Sequence, residues 1–140
     1  MTGVQTCALP IYRTAFEKRG GSLGYADQKD LNRVFPGKED GTETERLAWT
    51  AAKELLPAAD YYIDLHSGDD YEQLTPYVYY AGRAEKEVSA MSRRMAEQVD
   101  VPYMVKSDVA SGGAYNYAAS QGIPSILIEK IGRASCRERV

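Results

Sequence analysis

Ala58-Ala59-Asp60-Tyr61-Tyr62-Ile63-Asp64-Leu65-His66-Ser67-Gly68 is the stretch that decides the architecture, and it carries the only histidine of the 140 residues. Tyr61 to Leu65 is short, apolar and rich in aromatic and branched side chains, which favours a buried strand. Ser67-Gly68-Asp69-Asp70 then supplies loop residues, so the strand should end at the histidine. In open α/β sheets, ligands bind outside the carboxyl ends of the strands, and His66 would stand there. Taken alone, a histidine closing a strand is most simply a residue with a satisfied hydrogen bond. Its neighbours along the chain change that reading.

Upstream and downstream of the core, the two ends are set aside. Residues 1–11 and 131–140 read as translated sequencing-adapter tails. Back-translated, Ala8-Leu9-Pro10-Ile11 gives GCTCTTCCGATC, and the segment entering Ile131-Gly132-Arg133-Ala134 gives its reverse complement, as an adapter pair flanking one insert would. Such ends are excluded from fold reasoning, and residues 12–130 are expected to be a partial domain truncated at both ends. Both cysteines, Cys7 and Cys136, lie in the excluded ends, so neither a disulfide framework nor a cysteine metal site is expected. Of 17 basic and 20 acidic residues, three arginines and one glutamate lie in the tails. That leaves 14 and 19, a net charge of −5 over 12–130, which argues against a nucleic-acid partner. No apolar run approaches the roughly 20 residues of a membrane span, so no membrane partner is expected. A cytoplasmic location is the expectation, and nothing in the sequence sets an oligomeric state.

Between the tails, residues 12–29 are polar and punctuated by Gly20, Gly21 and Gly24, which reads as a long loop. Asp30-Leu31-Asn32-Arg33-Val34-Phe35-Pro36-Gly37 reads as a polar turn closed by Pro-Gly. Thr42 to Glu45 has the spacing of a capping box. Leu47/Ala48, Ala51/Ala52 and Leu55/Leu56 then recur at helical spacing until Pro57, giving a helix whose alanine- and leucine-rich face should pack on a sheet. After His66, the spacing predicts a strand over Tyr77–Tyr80, a helix over Glu85–Val99 and a strand over Val101–Val105. A helix over Ala114–Gln121, ended by Gly122, and a buried strand over Ser125–Ile128 complete the series. The last strand delivers Glu129 as the first delivers His66. The alternation of helix and strand argues for an α/β fold: a mixed, mostly parallel sheet with helices on both faces. Two strands ending in ionisable residues on one rim, beside an Asn-Arg loop, have the makings of an active site. Asp64 is read as facing the other side of its strand, as a structural or capping partner.

Three motifs sharpen the reading. Asp30-Leu31-Asn32-Arg33-Val34-Phe35-Pro36-Gly37, Asp64-Leu65-His66-Ser67-Gly68 and Gly122-Ile123-Pro124-Ser125-Ile126-Leu127-Ile128-Glu129 resemble the succinylglutamate desuccinylase/aspartoacylase family, zinc hydrolases related to the zinc carboxypeptidases. The resemblance implies a Zn2+ held by an early His-x-x-Glu-like pair and a later histidine. The later histidine maps to His66, and the early pair is expected upstream of Tyr12 and missing from this chain. Glu129 maps to the general base, Asn32 and Arg33 to the clamp for a substrate's free carboxylate, and Arg19 to the arginine that polarises the scissile carbonyl. The residue types suit these roles. A catalytic zinc takes three protein ligands and a water whose pKa it lowers to about 7. A carboxylate can pass that water's proton to the leaving amine. A guanidinium fork fits a carboxylate in a way that lysine does not.

The implied activity is amide hydrolysis of an N-acyl amino acid or related small molecule. A peptide-cleaving zinc carboxypeptidase is the alternative within hydrolases. A non-catalytic module holding a ligand with the tyrosine-rich loop 69–80 is the alternative from another class.

Overall fold

The computed structural model describes residues 23–24, 26–66 and 74–129. Both excluded ends, Arg19 and residues 67–73 lie outside the described residues. A single turn of 3-10 helix, Leu31–Arg33, is followed by helix α1 (Glu43–Thr50). After them come strands β1 (Tyr62–His66) and β2 (Tyr77–Ala81), helix α2 (Lys86–Ala96), strand β3 (Tyr103–Ser107), helix α3 (Ala114–Ser120) and strand β4 (Ser125–Glu129). Among the described residues no helix is long and apolar enough to cross a membrane.

The four strands form one sheet in the order β1-β4-β2-β3. β1 runs parallel to β4 and β2 parallel to β3, while β2 and β4 are antiparallel, so the sheet is mixed and mostly parallel as the alternation of elements implied. Side chains alternate between faces along each strand. One face of β2 and β4 presents Val78, Ile126 and Ile128 to Met95, Ala96 and Val99 of the α2 segment. The other presents Ala81 and Leu127 to Tyr115 and Ala119 of α3. Helices therefore cover both faces. Two buried serines pin the start of β4 between them. The Ser125 N–H donates to Ser92 Oγ of α2 at 2.9 Å, and Ser125 Oγ donates to the Tyr115 carbonyl of α3.

Three expectations shift. Strand β3 begins two residues late, after Pro102, whose missing N–H cannot enter the ladder, and the shift carries Ser107 to the strand's end. Pro57 does not stop its helix: α1 widens into a π-turn over Ala51–Leu55 and closes in a 3-10 turn, Leu56–Ala58, whose first turn tolerates proline. The alanine face of this helix packs on α3 rather than on the sheet. Ala48, Ala51, Ala52 and Leu56 meet Ala114, Ala118, Ile123 and Phe35, because side chains this small let two helices approach closely. Gly37, at φ +80°, lies against α1, where a Cβ would strike the Glu45 carbonyl and the Trp49 nitrogen. That close fit seats the Asn32-to-Pro36 turn beside α3.

Edge strand β1 has one covered face and one open one. Ile63 and Leu65 are 54% and 60% exposed, whereas Tyr62, Asp64 and His66 point to the covered side.

Candidate active site

His66 and Glu129 are register partners on the parallel pair β1–β4, so both strands bring their last residue to the same rim and the same face. Glu129 is in turn opposite Tyr77 on β2. His66 Nδ1 lies 3.4 Å from Glu129 Oε1, and His66 Nε2 lies 3.1 Å from Asp64 Oδ1. Asp64 is thus not on the far side of its strand. A period of two puts residues 64 and 66 on one face, and its carboxylate is the imidazole's nearest partner. The hydrogen bond to Asp64 raises the His66 pKa above its ordinary value, against burial that alone would lower it; the charges of Asp64, Glu129 and Asp30 add to the rise.

The Asn-Arg turn closes the site from the chain's other end. The Asp30 carboxylate accepts from the Asn32 N–H at 2.8 Å and so caps the 3-10 turn. Asn32 Oδ1 accepts from the Ala114 N–H at 2.6 Å, which aims its Nδ2 at Asp64 Oδ2 (3.4 Å) and His66 Nε2 (3.2 Å). The side chain of Arg33 is 73% exposed, and its Nη1 donates to the Asn32 carbonyl at 3.0 Å. Together these residues border a cavity of about 410 Å3. Asn32, Arg33, His66 and Glu129 line one side of it, with Tyr77, Tyr79 and Tyr115 among the aromatic groups of its wall. The rings of Tyr77 and Tyr79 meet edge to face at 5.1 Å.

Four of the five expected site residues therefore converge. The fifth, Arg19, lies outside the described residues. Asp64 is therefore moved to the side of His66, where the strand period puts it, and Ser107 and Asn116, which no local pattern marks, also line the cavity. As for the zinc, no group of three His, Cys, Asp or Glu side chains among the described residues is arranged to hold a metal ion. The rim offers a single imidazole, whose two nitrogens already face Asp64 and Glu129, short of a full zinc set.

The sequence matches the succinylglutamate desuccinylase/aspartoacylase catalytic domain over residues 14–137, most of its length and reaching into the C-terminal stretch set aside above. The chain belongs to this family. It is 29% identical over 97 residues to the N-alpha-acetyl-L-2,4-diaminobutyric acid deacetylase of Halomonas elongata, covering 69% of this chain and 28% of that enzyme. The product-bound ectoine utilization protein EutE (DoeB) of Ruegeria pomeroyi superposes with a TM-score of 0.73 at 30% identity, over 87% of this chain and 38% of that one. The succinylglutamate desuccinylase/aspartoacylase of Rhodobacter sphaeroides gives 0.71 at 27% identity, over 83% and 34%. The chain thus spans between a quarter and two-fifths of the relatives' length, and those named for a reaction are deacylating hydrolases.

Proposed function

We propose that this chain is the substrate-facing part of a zinc-dependent deacylase that hydrolyses the amide bond of a small N-acyl amino acid. The observation that carries the reading is the placing of His66 and Glu129 as register partners on one rim, 3.4 Å apart, facing the cavity that Asn32 and Arg33 border. In this reading Glu129 accepts the attacking water's proton and hands it to the departing amine. Arg33, exposed at the cavity's edge, takes the substrate carboxylate through its fork. Asn32 would join the clamp by trading its bond to Asp64 for one to substrate. Arg19 is assigned to the acyl oxygen on sequence position alone. His66 would be one zinc ligand, with Nε2 tethered by Asp64 in the manner common to metal-bound histidines. The other ligands would come from outside the described residues, and the metal when bound would supply an activated water.

By themselves the 140 residues should bind zinc weakly and show no useful turnover, because a catalytic zinc needs about three protein ligands. The purified chain is to be titrated with zinc and assayed on N-acetyl- and N-succinyl-amino acids. Binding of such ligands in the millimolar range or tighter, weakened at least tenfold by Arg33→Leu, is the expected result. No binding of any N-acyl amino acid would overturn the function, and tight stoichiometric zinc with metal-dependent turnover would overturn the ligand argument.

A further inference from the structure

Asn116 lies on α3 with its residue surface 5% exposed, and it borders the same cavity. Its two amide atoms have different fates. The Val109 N–H donates to Ser107 Oγ at 3.4 Å, which turns that hydroxyl to donate onward to Asn116 Oδ1 at 3.3 Å. The relay holds the oxygen toward β3 and leaves Nδ2 on the opposite side. Nδ2 makes no hydrogen bond among the described residues. Nor is it shut away from solvent, since no fully buried side-chain nitrogen or oxygen among the described residues lacks a partner. It therefore opens on the cavity. Gly113 leaves the space in front of it clear: a Cβ there would sit 3.4 Å from Asn116 Nδ2 and 3.3 Å from Asn32 Oδ1.

Most of the Asn116 side chain is buried and only Nδ2 meets the cavity, so a ligand that displaces water there must accept from it or leave the amide unpaired at a cost. We propose that Asn116 is a substrate-binding residue whose Nδ2 donates to a planar oxygen of the ligand, carboxylate or acyl carbonyl, with Ser107 as the residue that positions it. The proposed deacylase reading enters only in the choice of ligand. Ser107 and Asn116 are both buried, at 6% and 5% exposure, so the pair is held by packing as well as by the relay. A fixed donor of this kind discriminates strongly, because a ligand lacking the oxygen leaves it unpaired.

The test uses the 15N-labelled 140-residue chain and three probes: N-acetyl-L-alanine, N-acetyl-L-alaninamide and acetate. The side-chain NH2 signals of Asn116, identified by their loss in Asn116→Asp, are followed during each titration. Movement with acetate and N-acetyl-L-alanine but not the carboxamide assigns the carboxylate; movement with both acetylated compounds but not acetate assigns the acyl oxygen. Asn116→Leu and Asn116→Asp should weaken binding about tenfold or more, the scale of one hydrogen bond to a charged or strongly polar group. Ser107→Ala should weaken it less, since the amide survives but turns more freely. The shift measurement on the unmutated chain stands even where a variant fails to fold. Ligand binding that moves Gly113 or Tyr115 signals yet leaves the Asn116 NH2 still would overturn the assignment while sparing the deacylase reading. Acetate moving Asn116 while neither acetylated compound binds would do the reverse, and silence from all three probes would overturn both.

Discussion

Asp27 and Glu45 at the start of α1, and Asp64 and Glu129 beside His66, are both pairs of partly buried carboxylates, and they are satisfied in opposite ways. At the helix start donors are plentiful. Asp27 accepts from the Thr44 N–H at 3.0 Å and from Thr44 Oγ1 at 2.7 Å; Glu45 accepts from the Thr42 N–H at 2.9 Å and pairs with Lys29 at 2.9 Å. Against burial that would raise it, hydrogen bonds from Thr42 and Thr44 hold Asp27 below the ordinary carboxylate range. The Thr42 N–H and then Lys29 hold Glu45 down to about 2. At the rim, two carboxylates instead converge on one imidazole, and it is the base whose pKa moves. The first cluster is a finished piece of scaffolding. The second stands where His66 and Glu129 line a cavity, so the same composition is turned toward open space rather than closed on a helix end.

The largest expected effect separates the two clusters by activity. In a protein carrying the complete metal site, Glu129→Gln should cut kcat by about 10²- to 10⁴-fold, the usual worth of a general base, with little change in thermal stability. A variant with near-normal kcat would remove Glu129 from the mechanism. The converse substitution is Asp27→Ala, which should cost about 1 kcal/mol of stability through the lost helix cap and leave ligand affinity unchanged. Denaturant unfolding read beside a binding titration would expose any leak between the regions.

The smallest effect is on pH. A carboxylate whose pKa is depressed on folding contributes stability above its ordinary value, and that stability fades as pH falls toward the folded value. For Glu45 the window runs from about 4.5 down to about 2. Glu45→Gln should therefore lower the melting temperature near neutrality, where the contribution is complete, and flatten the acid limb so that the two profiles converge toward pH 2. An unchanged acid limb would place the depressed pKa elsewhere.

Much of this contrast was legible locally. Thr42 and Glu45 announced the cap by spacing, and His66 and Glu129 announced the rim by closing two apolar runs. Asp27 did not, because it reaches Thr44 from a separate loop 17 residues away. The strand order β1-β4-β2-β3 was equally hidden, since pairing is decided between segments and leaves no period within one. The alanine face of α1 pointed to close packing but not to its partner: small side chains suit a helix as well as a sheet, and α3 supplied Ala114 and Ala118. Asp64 was misread although the strand period alone would have placed it beside His66. Asn116 had no local mark at all, for its role depends on where Ser107 falls once Pro102 has delayed β3.

The in-register pairing of β1 with β4 also acts as a ruler. Tyr62 to His66 is matched residue for residue with Ser125 to Glu129, and a slip of one residue would turn every side chain of the moved strand to the opposite face. Glu129 would then trade the cavity for the α2 side, and Ile128 would take its place beside His66. A misaligned molecule would thus lose the Glu129 carboxylate from the rim, part of the cavity lining and core packing in a single event. Errors of register at this rim have no graded form, so a population of such molecules should divide into copies that bind a ligand in the cavity and copies that do not, rather than show a spread of intermediate affinities.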